Sequence, residues 1–334
     1  NASAKPYASH DVMFDGDAAK WLKFGNTLRL RLALRISKVD PARAKAEAEA
    51  AIADGVMLTK EDNATMLKNT TGGDYNGLAT IAGWNEFRMS ASMESYLKGY
   101  NDPRIGIFFQ PAAQTGTYEG LRNGLDGPLL TDPKHNNGAT SNIGTLWISP
   151  NGAAWSYNYA KRQEIMLTAE AYFLRAEAAL NGWQAGGTAK DLYESGIKAS
   201  MAYWGVSDAE AAAYVTGTTT PVAPEDGLNS PAVADIPVAW GATEAIQRQQ
   251  IATQKWLAIY PDGQEAWAEL RRTGYPKLYD LAVSVNDELP VNARPRRIPF
   301  LTAEYANNKP AMDNAVQLLG GPDKPTTRLW WDVE

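Results

Sequence analysis

The chain has 334 residues, with 32 Lys and Arg against 38 Asp and Glu, a formal net charge of −6 and 44% hydrophobic residues. This composition builds a core and excludes wholesale disorder; the mild acidity argues against a nucleic-acid groove, and no uncharged apolar run of about 18 residues is present to span a bilayer. With no Cys and only His10 and His135, disulfides, thiolate or His-rich metal sites and Cys nucleophiles are excluded, and a Ser-His-Asp triad has no recognisable setting.

Asn1 to Ser9 holds no initiator Met, basic n-region or apolar h-region, so the chain reads as starting after processing or as part of something longer. Asp15 and Asp17 then cap a helix predicted over 18–37, whose buried face is read as Trp21, Phe24, Leu28, Leu32 and Ile36. Asp40-Pro41 restarts a second, Ala-rich helix that stops at Gly55. Beyond an Asn/Thr/Gly-rich connection, Met89, Met93, Tyr96, Leu97 and Tyr100 mark another helix, ended by Asp102-Pro103. Residues 104–162 carry eight Gly and four Pro without helical period and read as a long irregular layer, a length of loop that usually carries function.

Helices resume at Glu164 to Leu180 and at 188–203, where Ala189, Tyr193, Ile197 and Met201 share a face. The Ala-x-x-x-Tyr step resembles the second helix of a tetratricopeptide repeat, in which a small residue admits the neighbouring helix. Ser207-x-x-Glu210 is a capping box, and helices follow around 244–260 and 263–273, split by Pro261-Asp262. The fold class is mainly α: tetratricopeptide-like helix pairs form a scaffold with long irregular loops. The whole of 1–334 reads as one domain, with helices over 11–103, the loop layer over 104–162, the helix pair over 163–206, and C-terminal helices and loops over 207–334.

Several segments together resemble the SusD/RagB family. They are Trp21-Leu-Lys-Phe-Gly-Asn-Thr-Leu-Arg-Leu-Arg-Leu-Ala-Leu-Arg35, Tyr100-Asn-Asp-Pro-Arg104, Glu164-Ile-Met-Leu-Thr-Ala-Glu-Ala-Tyr-Phe-Leu-Arg-Ala-Glu-Ala178 with Leu192 to Val206, Gln254-Lys-Trp256 with Glu265 to Gly274, and Arg296-Arg-Ile-Pro299. Their order runs through nearly the whole chain. The resemblance implies a non-catalytic lipoprotein of the outer-membrane cell surface that captures a glycan or other nutrient and hands it to a SusC-like TonB-dependent transporter. Against that pattern the chain is expected to lack the family's N-terminal part with its lipidated Cys, so that membrane attachment would rest on an anchor outside it. The alternatives are a helical carbohydrate-active enzyme, with two carboxylates converging in a cleft, and a helical-repeat adaptor with no aromatic platform.

Trp (11) outnumbers Phe (7), and Tyr is 15. Trp and Tyr suit a half-apolar, half-wet surface, which is what a sugar presents. Loop aromatics beside amides are therefore the ligand candidates: Tyr75 with Asn76, Trp84 with Asn85, then Tyr118, Trp147 and Trp155, in the last case within Trp155-Ser-Tyr-Asn-Tyr159. Trp21, Trp256 and Trp267 read as core. Arg271-Arg272 and Arg296-Arg297 are expected to pair with Glu265, Glu269 and Glu304 rather than to bind an anion. Asp74, Glu86, Glu119 and Asp126 are the loop carboxylates, and no motif singles out a pair. His135 reads as a solvated turn residue. No cofactor is expected, since Gly72-Gly73 and Gly186-Gly187 lack the Lys-Ser/Thr of a phosphate loop, and no metal site is assigned.

Overall fold

A computed structural model describes Lys5 and residues 7–85 and 87–333. Helices dominate it. Asp17 caps α1 (Ala18–Arg35) through the backbone N–H groups of Ala19 and Lys20, and Asp40 caps α2 (Pro41–Ala53) through that of Arg43. A short strand β1 (Ala64–Met66) follows, then α3 (Gly77–Ala82), α4 (Ala91–Gly99) and the single turn α5 (Ile105–Phe108). After the loop layer come β2 (Gln163–Met166), α6 (Thr168–Leu180), α7 (Ala189–Tyr203) and α8 (Asp208–Val215). The chain closes with α9 (Glu244–Ala258), α10 (Gly263–Thr273), α11 (Thr302–Asn307) and α12 (Lys309–Leu319). Among the described residues no helix is long and apolar enough to cross a membrane.

The expected helix pair is α6 against α7. Tyr193, Ile197 and Met201 are fully buried and Leu192 nearly so, while Tyr172 is half-buried and bonds Leu58. The small residue at the closest approach is not Ala189, which sits half-buried at the helix start, but Gly196, where an added Cβ would lie 2.9 Å from the Phe173 ring. The Tyr193 hydroxyl donates to the Val238 carbonyl at 2.7 Å, so the ring fills the core without stranding its polar end.

Several expectations need correction. The first residues assigned to the helix from Glu164 are instead β2, paired antiparallel with β1, and the helix begins at Thr168, whose N–H donates to the Asn63 side chain at 2.7 Å. The buried face of α1 is Asn26, Thr27, Leu30, Ala33 and Leu34, because α2 and α6 pack on that side; Leu32 is 56% exposed and Trp21 40%. Apolar residues occur on two faces of this helix, so period alone did not choose between them. His135 is buried rather than solvated: its ring nitrogens lie 2.5 Å from the Leu129 carbonyl and 2.9 Å from that of Asp226, tying two loops together.

The paired arginines divide. Arg272 is buried and forks to Glu177 and Glu269, and Arg297 is buried against Asp323. Arg296 pairs with Asp332, not Glu304, and Arg271 has no carboxylate within 4.0 Å among the described residues. Deeper still, the fully buried Arg104 guanidinium grips Asp102 at 2.9 and 2.6 Å and Ser200 at 2.8 Å, and Tyr214 donates to Asp102 at 2.8 Å. The start of the loop layer is thereby fastened to α7 and α8.

Candidate functional site

Trp155, Tyr157 and Tyr159 occupy every second position of one loop, in which Tyr157 bridges antiparallel to Ile148 before the chain turns at Tyr159. Their rings lie face to face in a row: Trp155 to Tyr157 at 6.1 Å between centroids, Tyr157 to Tyr159 at 5.3 Å, and Tyr159 to Tyr75 at 4.5 Å, each pair within 36° of parallel. Tyr75 comes from a different loop, so the row needs a clamp. Asn76 supplies it. Its Oδ1 caps α3 at the N–H of Ala79, its Nδ2 donates to the Lys161 carbonyl at 3.1 Å, and its own N–H donates to the Tyr159 carbonyl at 2.9 Å. At the other end of α3, Gly83 lies so close to Tyr157 that a Cβ would meet the ring at 2.9 Å.

Trp155 stands at one end of this row, 54% exposed, and forms a wall of a cleft of about 320 Å³. The remaining wall is mostly amide and hydroxyl: Asn85, Asn137, Asn142, Asn151, Thr140 and Ser149, with Arg88 among them. Asn85 takes a left-handed backbone (φ 58°), which Asn tolerates better than most residues. Its Oδ1 accepts from Arg88 at 2.6 Å and its carbonyl accepts from Asn137 at 2.9 Å. Arg88 also donates to Asn142 Oδ1 at 3.2 Å, and its buried Nε has no partner among the described residues. Burial pushes this guanidinium below its ordinary pKa, and no ion pair among the described residues offsets the cost. The site is therefore a dipole-rich hollow with one cation held by amide oxygens and one broad ring exposed at its edge. Such a surface hydrogen-bonds hydroxyls and acetamides while stacking on C–H faces.

The sequence candidates separate on this geometry. Trp155 and Asn85 line the cleft, and Tyr75 ends the ring row that leads to it. Trp84 is 62% exposed just beyond α3 but is not part of the cleft wall. Asn76 is buried and spends its amide on the clamp just described, so it offers no rim to a ligand. Trp147 is wholly buried, packed 5.9 Å from Trp204 and 6.0 Å from Tyr260, and pins the loop layer to the scaffold. Tyr118 is half-buried against the main core beside Gly106, and burial raises its phenol pKa. Glu86 lies outside the described residues. Arg88, Asn137, Asn142 and Asn151 were not anticipated, because their convergence depends on loop paths that no periodicity encodes. The ring row did have a signal in the every-second-residue spacing of 155, 157 and 159. Among the described residues no carboxylate lines the cleft, and no group of three metal-ligating side chains comes together.

The sequence model of the family described as SusD and RagB outer membrane lipoprotein matches residues 1–332. The chain belongs to the SusD-like family. No curated protein matches it. Among solved structures, a chitin-binding SusD homologue from Flavobacterium johnsoniae is 42% identical with a TM-score of 0.87, covering 99% of this chain and 67% of that one. A SusD-like protein from Bacteroides thetaiotaomicron is 37% identical (TM-score 0.86; 99% and 68% covered). A homologue from Bacteroides uniformis is 35% identical (TM-score 0.88; 100% and 69%). The SusD-like chain thus spans about two thirds of the length of these relatives, and its helical scaffold is the family's.

Proposed function

We propose that this SusD-like protein is a non-catalytic glycan-capture protein of the outer-membrane cell surface. It would hold an oligosaccharide in the cleft beside Trp155 and pass it to a SusC-like TonB-dependent transporter, with attachment to the membrane through the lipid that the family name implies. The observation that carries the reading is the exposed Trp155 ring closing an amide-lined cleft, backed by a row of three further rings. The absence of a described carboxylate from that lining favours binding over hydrolysis, which needs two acids facing one bond.

Chitin oligosaccharides are the first ligands to try. The Flavobacterium johnsoniae relative is described as chitin-binding, and acetamido groups offer the donor and acceptor that Asn side chains complement. Trp155→Ala is expected to weaken chitohexaose binding by roughly 1–3 kcal/mol, the scale of losing a large apolar contact. Isothermal titration of the full-length protein reads this directly. Unchanged affinity in a variant with wild-type circular dichroism would remove the cleft from consideration. Release of reducing ends from chitin, lost on mutating a loop carboxylate such as Asp74 or Glu119, would replace the reading with an enzymatic one.

A further inference from the structure

The cleft beside Trp155 holds one full charge among its amides and hydroxyls. Arg88 is its one titratable lining residue, and among the described residues no Asp or Glu faces it. Its guanidinium is held by neutral oxygens: Nη1 donates to the Phe87 carbonyl at 2.7 Å and to Asn142 Oδ1 at 3.2 Å, and Nη2 donates to Asn85 Oδ1 at 2.6 Å. Burial lowers its pKa, and among the described residues no neighbouring charge adds to that shift or opposes it. Neutral oxygens fix a guanidinium without neutralising it, and arginine keeps its proton in proteins, so a whole positive charge stands in the wall.

Holding Arg88 also sets which end two of the amides offer. Asn85 and Asn142 spend their oxygens on it, which leaves their Nδ2 groups as free donors; neither nitrogen is a buried atom lacking a partner. Asn137 and Asn151 are the reverse. Their Nδ2 groups donate to the Asn85 carbonyl at 2.9 Å and the Pro111 carbonyl at 2.7 Å, so their Oδ1 atoms are the free acceptors. An acetamido group carries one acceptor and one donor and uses both kinds. A protonated amine carries donors only, and the two Oδ1 atoms would accept from it, so hydrogen bonding by itself does not turn it away. Charge does. At about 30 Å³ per water the cleft, about 320 Å³, holds roughly ten waters, so an ammonium inside it sits within several ångströms of Arg88 with no carboxylate in the lining to offset the repulsion.

We propose that Arg88 makes the cleft selective for N-acetylated sugars over deacetylated ones: the neutral acetamido group is admitted and a protonated glucosamine is kept out. The inference rests on the cleft being the glycan site. It adds a discrimination within one polymer, between chitin and its deacetylated form, and assigns it to a single residue. Specificity of this kind comes from an unfavourable contact with the wrong guest rather than from an extra contact with the right one.

The test compares chitohexaose with fully deacetylated chitosan hexamer on the full-length protein, at mildly acidic pH, where the glucosamine amines carry their protons. The chain has a net charge of −6 and attracts polycations elsewhere on its surface, so the deacetylated hexamer is read as a competitor of labelled chitohexaose. Wild type is expected to bind it about tenfold or more weakly than chitohexaose, and the gap to narrow as salt screens the repulsion. Arg88→Met separates charge from packing, because the two ligands should move in opposite directions: chitohexaose weakens, while the deacetylated hexamer binds several-fold more tightly than it does to wild type. Arg88→Lys keeps the charge and should keep the exclusion. Circular dichroism checks folding, and if Arg88→Met does not fold, Arg88→Lys and the salt dependence of wild type decide. Equal affinity of wild type for the two hexamers, a gap indifferent to salt, or weakening of both ligands by Arg88→Met overturns the proposal. Wild-type chitohexaose affinity in Trp155→Ala would instead remove the cleft itself, and this inference with it. Loss of chitohexaose in Trp155→Ala without the opposite shifts in Arg88→Met removes the discrimination alone.

Discussion

The interior of the helical scaffold and the cleft of the loop layer both bury polar groups, but of opposite kinds. Between α1, α6, α9 and α10 the groups are full charges in a closed row. Arg31 bonds Glu170 at 2.8 Å, Lys255 lies 3.2, 3.3 and 3.1 Å from Glu170, Glu265 and Glu269, and Arg272 joins Glu269 to Glu177. Each charge there is answered by another. In the loop cleft the groups are amides and hydroxyls, and the one cation, Arg88, is met among the described residues by amide and backbone carbonyl oxygens. The difference separates two tasks. Charges that saturate one another lock helices together and have little left for a guest, whereas neutral dipoles exchange readily between water and a neutral ligand.

The comparison breaks most visibly at Lys255. Lys255→Met leaves Glu170, Glu265 and Glu269 buried with one cation fewer and is expected to cost about 3–5 kcal/mol, the scale of removing one partner from a buried ion pair. Denaturant unfolding measures it. A loss below that of an ordinary surface substitution would mean that the row is not what joins these helices.

Acid should act on the same row. Burial alone would raise the pKa values of Glu170 and Glu269, but Arg31 and Lys255 for the first, and Arg272 and Lys255 for the second, outweigh it, so both fold below the ordinary glutamate value of 4.5. A carboxylate that binds its proton less readily when folded stabilises the fold above its unfolded pKa, and that stability is lost as pH falls through the folded value. Glu265 is shifted the other way, by burial first and then by Glu170 and Glu269, so its own protonation relieves repulsion instead. The melting temperature is therefore expected to hold down to about pH 5, to begin falling as pH drops through the unfolded glutamate value of 4.5, and to keep falling towards the lower folded values. A fall that begins near neutrality would contradict this assignment.

On the cleft side, Arg88→Met should leave the melting temperature nearly unchanged, since no ion pair among the described residues is broken, yet weaken chitohexaose by about 1–2 kcal/mol through lost hydrogen bonds to a charged donor. A large stability loss with intact affinity would place Arg88 with the scaffold and dissolve the distinction.

How much of this was readable beforehand depended on the range of the interaction. The Asp17, Asp40 and Ser207 caps and the α6–α7 pair follow from residues a few positions apart, and the structure has them. The face of α1 was misjudged because Leu28 and Leu32 are as apolar as Leu30 and Leu34; only the positions of α2 and α6 distinguish them. Trp147 and Trp155 look alike in sequence, eight positions apart in one irregular stretch. One is core because Trp204 and Tyr260 enclose it, and the other stays 54% exposed with Tyr157 stacked beside it. Asn76 was assigned to a ligand on its neighbour's account, whereas an Asn three residues before a buried helical N–H is first of all a cap.

The smallest expected effect is also the most discriminating for the ring row. Tyr75 lies at the far end from the cleft, stacked on Tyr159, and its side chain is exposed. If the row works as a support, truncating Tyr75 removes one stacking partner and loosens Tyr159 and Tyr157 behind Trp155. Aromatic pairs contribute about 0.5–1.5 kcal/mol beyond area burial, and only part of that would be transmitted through two further rings. Tyr75→Ala is thus expected to weaken chitohexaose less than Trp155→Ala does, and the double variant to lose less than the sum of the two, because the support matters only while Trp155 is there to be supported. Strict additivity would instead mean that Tyr75 touches the sugar itself, extending the site along the whole row.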